Sequence, residues 1–215
     1  FDFLYEKDYY QKNSFKIINN IKQIPFRDNF ILSGMNLAFL GYFANKEVYT
    51  KKVLFHWPDG IWLKKHIDIK KMPGRDLIKN LKIPKNINSI LVLGNLSEYS
   101  KKFLKKKFKL DVSNQKLPFG NIEKIMKTKI YLKEKSLTLI TLPTPKQEKL
   151  AHHISRHNLN YKIICIGASI AIASGEEKQV PNLLKNYEFL WRLRNDFFRR
   201  SKRIVETFFY YLKGR

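Results

Sequence analysis

Leu137-Thr-Leu-Ile-Thr141, followed at once by Leu142-Pro-Thr-Pro-Lys-Gln-Glu148, decides the fold. A short apolar run that stops at a proline-bracketed turn and resumes with helical spacing from Lys146 to His157 is a strand feeding a helix. In an open α/β sheet such turn residues sit at the carboxyl edge, where ligands bind. The construction recurs along the chain. Phe30-Ile-Leu-Ser33 is predicted as a strand, and Gly34-Met-Asn36 as the turn opening a helix through Leu37 to Phe43, with Asn36 suited to be its N-cap. Val53 to Trp57 runs into Pro58-Asp-Gly60, Gly74-Arg-Asp76 precedes a helical Leu77 to Leu81, and Ser89 to Leu93 ends at Gly94-Asn95. Glu98 to Lys109 reads as a helix with a solvated lysine face, Asn121 to Lys127 as another helix, and Tyr161 to Ile166 as a strand. Residues 1–29 are polar and irregular apart from a short amphipathic stretch at Phe15 to Lys22.

Strands alternating with helices at this spacing predict an α/β, Rossmann-like, mostly parallel sheet with helices on both faces. From Pro181 the pattern is wholly helical, with segments at Asn182 to Arg194 and Phe198 to Leu212. The expected organisation is therefore an α/β domain over 1–180 and a basic helical C-terminal appendage over 181–215.

The charge balance points to an anionic partner. Against 18 Asp+Glu stand 42 Lys+Arg, a net +24, which suits nucleic acid, an anionic membrane surface or a phosphorylated substrate. Lysines are scattered, as a compositional background would scatter them. Arginine is concentrated: six of nine lie in the last 24 residues. Arg192, Arg199 and Arg203 are spaced to share one helical stripe, and their planar forks suit a diphosphate; a plain basic surface helix is the competing account. The one cysteine, Cys165, excludes an intramolecular disulfide and is expected in the core. The longest apolar run, Ile163 to Ala173, is too short to span a bilayer, so a soluble or peripheral protein is expected.

Several chemistries lack their parts. Gly94 stands alone where dinucleotide binding wants G-x-G-x-x-G, and there is no P-loop. Gly167-Ala-Ser-Ile-Ala171 echoes a nucleophile elbow, but no histidine follows His157; Gly167 to Gly175 is read instead as a close-packed turn lining a ligand. His153 and His157 have no third metal ligand at suitable spacing, so a solvated helix face is expected there. With no D-x-D pair, a nucleotide-sugar enzyme of this sequence would neutralise its leaving diphosphate with arginine, without a metal or other cofactor.

Over roughly Phe30 to Leu212 the chain resembles the TagA/WecG/CpsF bacterial glycosyltransferases. The resemblance rests on Asn36 in the first strand-helix turn, Pro58-Asp-Gly60, Pro145-Lys-Gln-Glu148, and Tyr187-Glu-Phe-Leu-Trp-Arg-Leu193 with Arg199 and Arg203. It implies transfer of N-acetylmannosamine, its uronic acid or a related hexose from a UDP-sugar donor to an undecaprenyl-diphosphate-linked acceptor. It further implies that Asp59 is the base that deprotonates the acceptor hydroxyl, that Gln147 contacts substrate, and that Arg192, Arg199 or Arg203 reach the diphosphate as the appendage closes over the site and touches the membrane. Asn36 and Lys71 are the other expected substrate-binding residues. The aromatics of Ile204 to Leu212 suit a membrane interface, with core packing as the alternative.

The chain also departs from the family pattern. Gly34 stands where threonine is usual, Lys71 where arginine is usual, Ala171 where aspartate is usual, and Gln179-Val-Pro181 replaces Arg-Ala-Pro. The expected protein is an inverting glycosyltransferase on the cytoplasmic face of the membrane, acting in surface-polysaccharide synthesis. Alternatives are a basic nucleic-acid-binding protein, against which stands the lack of any reader motif, and a degenerate member that binds a UDP-sugar without turning it over.

Overall fold

The computed structural model describes residues 15–36, 39, 54–59, 71–177, 201 and 205. Among these residues seven strands form one sheet: β1 (Phe15–Ile17), β2 (Phe30–Met35), β3 (Leu54–Pro58), β4 (Ser89–Leu93), β5 (Asp111–Gln115), β6 (Ser136–Ile140) and β7 (Lys162–Cys165), in the order β1-β3-β2-β7-β6-β4-β5. Every pairing is parallel. The helices among the described residues are α1 (Gly74–Asn80), α2 (Glu98–Phe108), α3 (Ile122–Met126), α4 (Lys146–His157) and α5 (Ser169–Ser174), with a 3-10 turn at Ile21–Gln23. None is long and apolar enough to cross a membrane.

Parallel pairing forces each connection across a face of the sheet, so the central strands are buried on both sides. β2 and β6 are buried along their whole length. One apolar layer joins Ile31, Leu93, Ile140 and Ile163 to Leu150 and Ile154 of α4. The other joins Leu32, Val92, Leu139 and Ile164 to Leu77 of α1, Leu104 of α2 and Ile170 of α5. This is the Rossmann-like arrangement expected from the sequence, and it is wholly parallel. The lysine face of α2 is largely solvated, with Lys102, Lys105, Lys106 and Lys109 exposed and Leu104 buried.

Local readings need correction in four places. Gly34 and Met35 belong to β2, not to a turn. Gly34 pairs with Trp57, and a Cβ there would lie 2.9 Å from Trp57 Cζ2 and 3.2 Å from Asp59 Cβ; the glycine makes room for the indole within the strand. Phe15–Ile17 is an edge strand. Asp111–Gln115 is also an edge strand, unread because only Val112 of it is buried. The stretch from Gly167 to Gly175 contains a short helix between two positive-φ glycines. The expected helices at Leu37 to Phe43, Asn182 to Arg194 and Phe198 to Leu212 lie outside the described residues, Phe39, Ser201 and Val205 apart.

Register places His56, Ser33 and Cys165 side by side across β3, β2 and β7. All three are buried. His56 packs against the Phe39 ring at 4.7 Å, and burial drives its pKa from 6.5 down to about 3, helped by nearby His152 and opposed by a hydrogen bond to the Ser33 backbone. Its neutral form stabilises the fold fully above pH 6.5, and that contribution is lost as pH falls towards 3, at about 1.4 kcal/mol per pH unit at most. The urea midpoint of the wild type should therefore decline between pH 6.5 and 4 more steeply than that of His56→Gln; parallel declines would show that His56 does not titrate as placed.

Candidate active site

Turns at the carboxyl ends of β2, β3, β4, β6 and β7 enclose a cleft of about 640 Å3. Asn36 follows β2, Asp59 follows β3, Asn95 follows β4, Thr141 and Pro143 follow β6, and Gly167 follows β7; all of them line the cleft, as does Gln147. A second groove of about 1060 Å3 lies among residues 20–28 and 80–86, which precede β2 and β4, so it opens at the opposite edge.

Asp59 is fixed from two sides. Its backbone N–H donates to Met35 O at 3.2 Å, and its Oδ1 accepts from Gly74 N, in the first turn of α1, at 2.9 Å. A Cβ on Gly74 would fall 2.3 Å from Ser169 Oγ and 3.1 Å from its Cβ, so a side chain there would make Ser169 shift. Asn36 accepts from Phe39 N at 3.0 Å, in the manner of an N-cap. Capping and lining the cleft are thus both true of it. Lys71 is half-buried beside the β3 exit, where Met72 N donates to Pro58 O at 2.7 Å, and it is not among the residues lining the cleft. Arg192, Arg199 and Arg203 lie outside the described residues.

The proline turn builds the floor. Gln147 is buried, and its amide is fully engaged: Nε2 donates to Thr144 Oγ1 at 3.1 Å and to Glu148 Oε1 at 2.9 Å, while Oε1 accepts from Gly167 N at 3.1 Å. Gly167 has φ +56, a conformation glycine holds without steric cost. Cys165 lies in the core beneath, as expected, its Sγ 3.6 Å from Gln147 O.

Glu148, in the first turn of α4, is a core residue. It is only 2% exposed. Its Oε1 accepts from Ser33 Oγ at 2.8 Å and Thr144 Oγ1 at 3.1 Å as well as from Gln147. Burial raises its pKa, with the hydrogen bonds from Ser33, Gln147 and Thr144 pulling the other way. Oε2 is buried without a hydrogen-bond partner among the described residues, so the proton of the neutral form belongs there.

Asn95, Ser97, Ser100 and Glu176 also line the cleft and were not singled out from sequence. The signal for two of them was available: Ser97 N-caps α2 by accepting from Ser100 N at 3.0 Å. His153 is half-buried and His157 exposed on α4, their rings 4.7 Å apart, and the described residues hold no group of three His, Cys, Asp or Glu side chains placed to bind a metal.

Glu148→Ala removes the acceptor of two buried donors, Ser33 and Gln147, and of half-buried Thr144 and should cost roughly 3 kcal/mol, whereas Glu148→Gln keeps an acceptor oxygen and should cost less than half as much. Because the folded pKa lies above the ordinary 4.5, the stabilisation from the protonated carboxyl is complete below pH 4.5 and is lost as pH rises through the folded value. Urea unfolding between pH 4.5 and 8 should therefore show the wild type losing ground to Glu148→Gln; a constant gap would contradict a buried, proton-holding Glu148.

No curated protein matches the chain. The model of the glycosyl transferase WecG/TagA/CpsF family matches residues 60–213, which include Lys71, Gln147 and the tail arginines and begin one residue after Asp59. On that match, with the strand-exit cleft placed beside it, the chain belongs to the glycosyl transferase WecG/TagA/CpsF family.

Proposed function

We propose that this glycosyltransferase moves a hexose, N-acetylmannosamine or its uronic acid or a relative, from a UDP-sugar to a polyprenyl-diphosphate-linked acceptor in cell-surface polysaccharide synthesis, with inversion. The observation that carries the proposal is the convergence of Asn36, Asp59 and Gln147, drawn from three separate stretches, on one cleft at the carboxyl edge in a chain of this family. An inverting transfer needs one base on the face opposite the leaving group and no covalent nucleophile. Asp59 takes that role: the Gly74 N–H aims its carboxyl, which accepts the acceptor hydroxyl's proton as the hydroxyl attacks the anomeric carbon and UDP departs. Gln147, its amide held between Gly167 and Glu148, keeps the floor in shape beneath the donor. Asn36 sits at the β2 exit within reach of the same space.

The charge of the cleft supports a role for the appendage, residues 181–215. Among the described residues its lining carries Asp59, Glu176 and Glu177 and no lysine or arginine, so a departing diphosphate needs cations from elsewhere. Arg192, Arg199 and Arg203 supply them in this reading, in place of the divalent metal that a D-x-D motif would hold. The same basic and aromatic tail rests on the anionic inner face of the membrane, where the lipid-linked acceptor is found. Lys71, at the edge of the β3 exit, adds charge to that approach. A non-catalytic UDP-sugar binder is the second reading, favoured by Ala171 in the cleft lining.

Asp59→Asn should lower UDP release with a lipid-diphosphate acceptor about 10^2- to 10^4-fold while leaving UDP-sugar binding within a few-fold. Undiminished release by the variant would remove Asp59 as the base, and binding without release by the wild type would favour the second reading.

A further inference from the structure

We infer that Glu176 is a substrate-recognition residue whose carboxylate accepts hydrogen bonds from a vicinal diol of the bound donor, at the β4 end of the cleft. The inference rests on the glycosyltransferase reading and adds to it a residue and an orientation for the donor.

Glu176 is exposed and lines the cleft. One of its oxygens is fixed: Oε2 accepts from Ser97 Oγ at 2.5 Å and from Ser100 Oγ at 2.6 Å. Ser100 Oγ is in turn 3.0 Å from Ser174 Oγ, and Glu176 N donates to Ser174 Oγ at 3.4 Å. Three serines from two helices thus hold one short acidic segment. The other oxygen, Oε1, has no partner among the described residues. The Ser100 and Ser97 hydrogen bonds lower the pKa, so the group is a carboxylate at neutral pH.

This is not the geometry of a side chain that merely caps α2. A capping carboxylate takes backbone N–H groups, but Ser97 Oγ already takes the Ser100 N–H, and Glu176 receives hydroxyl donors only. What remains is an ionised acceptor, held at a set angle, with one oxygen left for something outside the chain. Adjacent hydroxyls of a ribose or hexose can both donate to one ionised oxygen, and charged acceptors give the stronger hydrogen bonds. A phosphate is disfavoured here by like charge, since Glu176 and Glu177 both line this wall. The donor therefore lies with a diol towards β4 and its diphosphate away from Glu176. Glu176 also places a carboxylate on a cleft wall where Ala171 offers none.

Isothermal titration of the full chain with UDP, 2′-deoxy-UDP and UDP-N-acetylmannosamine, for wild type and Glu176→Gln, tests this. Because Glu176 is exposed, the variant should keep the wild-type melting temperature to within a few degrees. If the diol is the ribose, the wild type should prefer UDP over 2′-deoxy-UDP by about 10-fold or more, the worth of a hydrogen bond to a charged acceptor, and the variant should lose most of that preference. If the diol is on the sugar, the variant should lose about 10-fold for the UDP-sugar and nothing for UDP. Either pattern supports the inference. Equal affinities of variant and wild type for all three ligands would overturn it while leaving the glycosyltransferase reading intact; a wild type that binds neither UDP nor the UDP-sugar would overturn that reading and this inference with it.

Discussion

A single buried carboxyl, Glu148, organises the site. Its Oε1 gathers Ser33 from the middle of the sheet, Thr144 from the proline turn and Gln147 from the start of α4. Gln147 then passes the constraint to Gly167 at the exit of β7. A chain of hydrogen bonds in a low-dielectric interior is strong when complete and costly when one member is missing. β2, the turn after β6 and the turn after β7 therefore cannot move independently. The price is a titratable group whose pKa burial raises, with Oε2 given no hydrogen bond among the described residues.

Around that fixed floor the cleft is chemically asymmetric. At the β3 exit, Asp59 is aimed by an amide of α1; at the β4 exit, Glu176 is aimed by hydroxyls of α2. Asp59 takes the backbone N–H of Gly74 in the first turn of α1, and Glu176 takes the hydroxyls of Ser97 and Ser100 at the start of α2. A chain of net +24 thus presents, among its described residues, a cleft lined by acids and without lysine or arginine. In the proposed function, the positive charge that meets the diphosphate comes from Arg192, Arg199 and Arg203.

The sheet was legible because parallel strands buried on both faces are continuous apolar runs: Ser89–Leu93, Ser136–Ile140 and Lys162–Cys165 are found within a residue or two of where the pattern places them. α4 was legible to the residue, from Pro145 before it and the apolar spacing within it. Edge strands were not, since Asp111–Gln115 buries one side chain and carries no apolar signature. Gly34 was misread because a glycine after an apolar run signals a turn, and only the indole of Trp57 across the strand pair shows what the missing side chain is for. In the site, Asp59, Asn36 and Gln147 could be placed from strand exits and motif resemblance. Glu148 could not, because its burial depends on Ser33, 115 positions earlier. Glu176 escaped for the same reason: its partners lie 76 and 79 positions away.

The central claim is that the carboxyl-edge cleft receives a nucleotide-sugar. Hydrogen exchange on the full chain with and without UDP-N-acetylmannosamine addresses it directly, since backbone amides report protection peptide by peptide. The account predicts slowed exchange in peptides spanning residues 33–36, 141–148 and 166–177, with residues 20–28 and 80–86 at the amino-edge groove unchanged. Protection confined to the amino-edge groove, or none anywhere at saturating ligand, would contradict it.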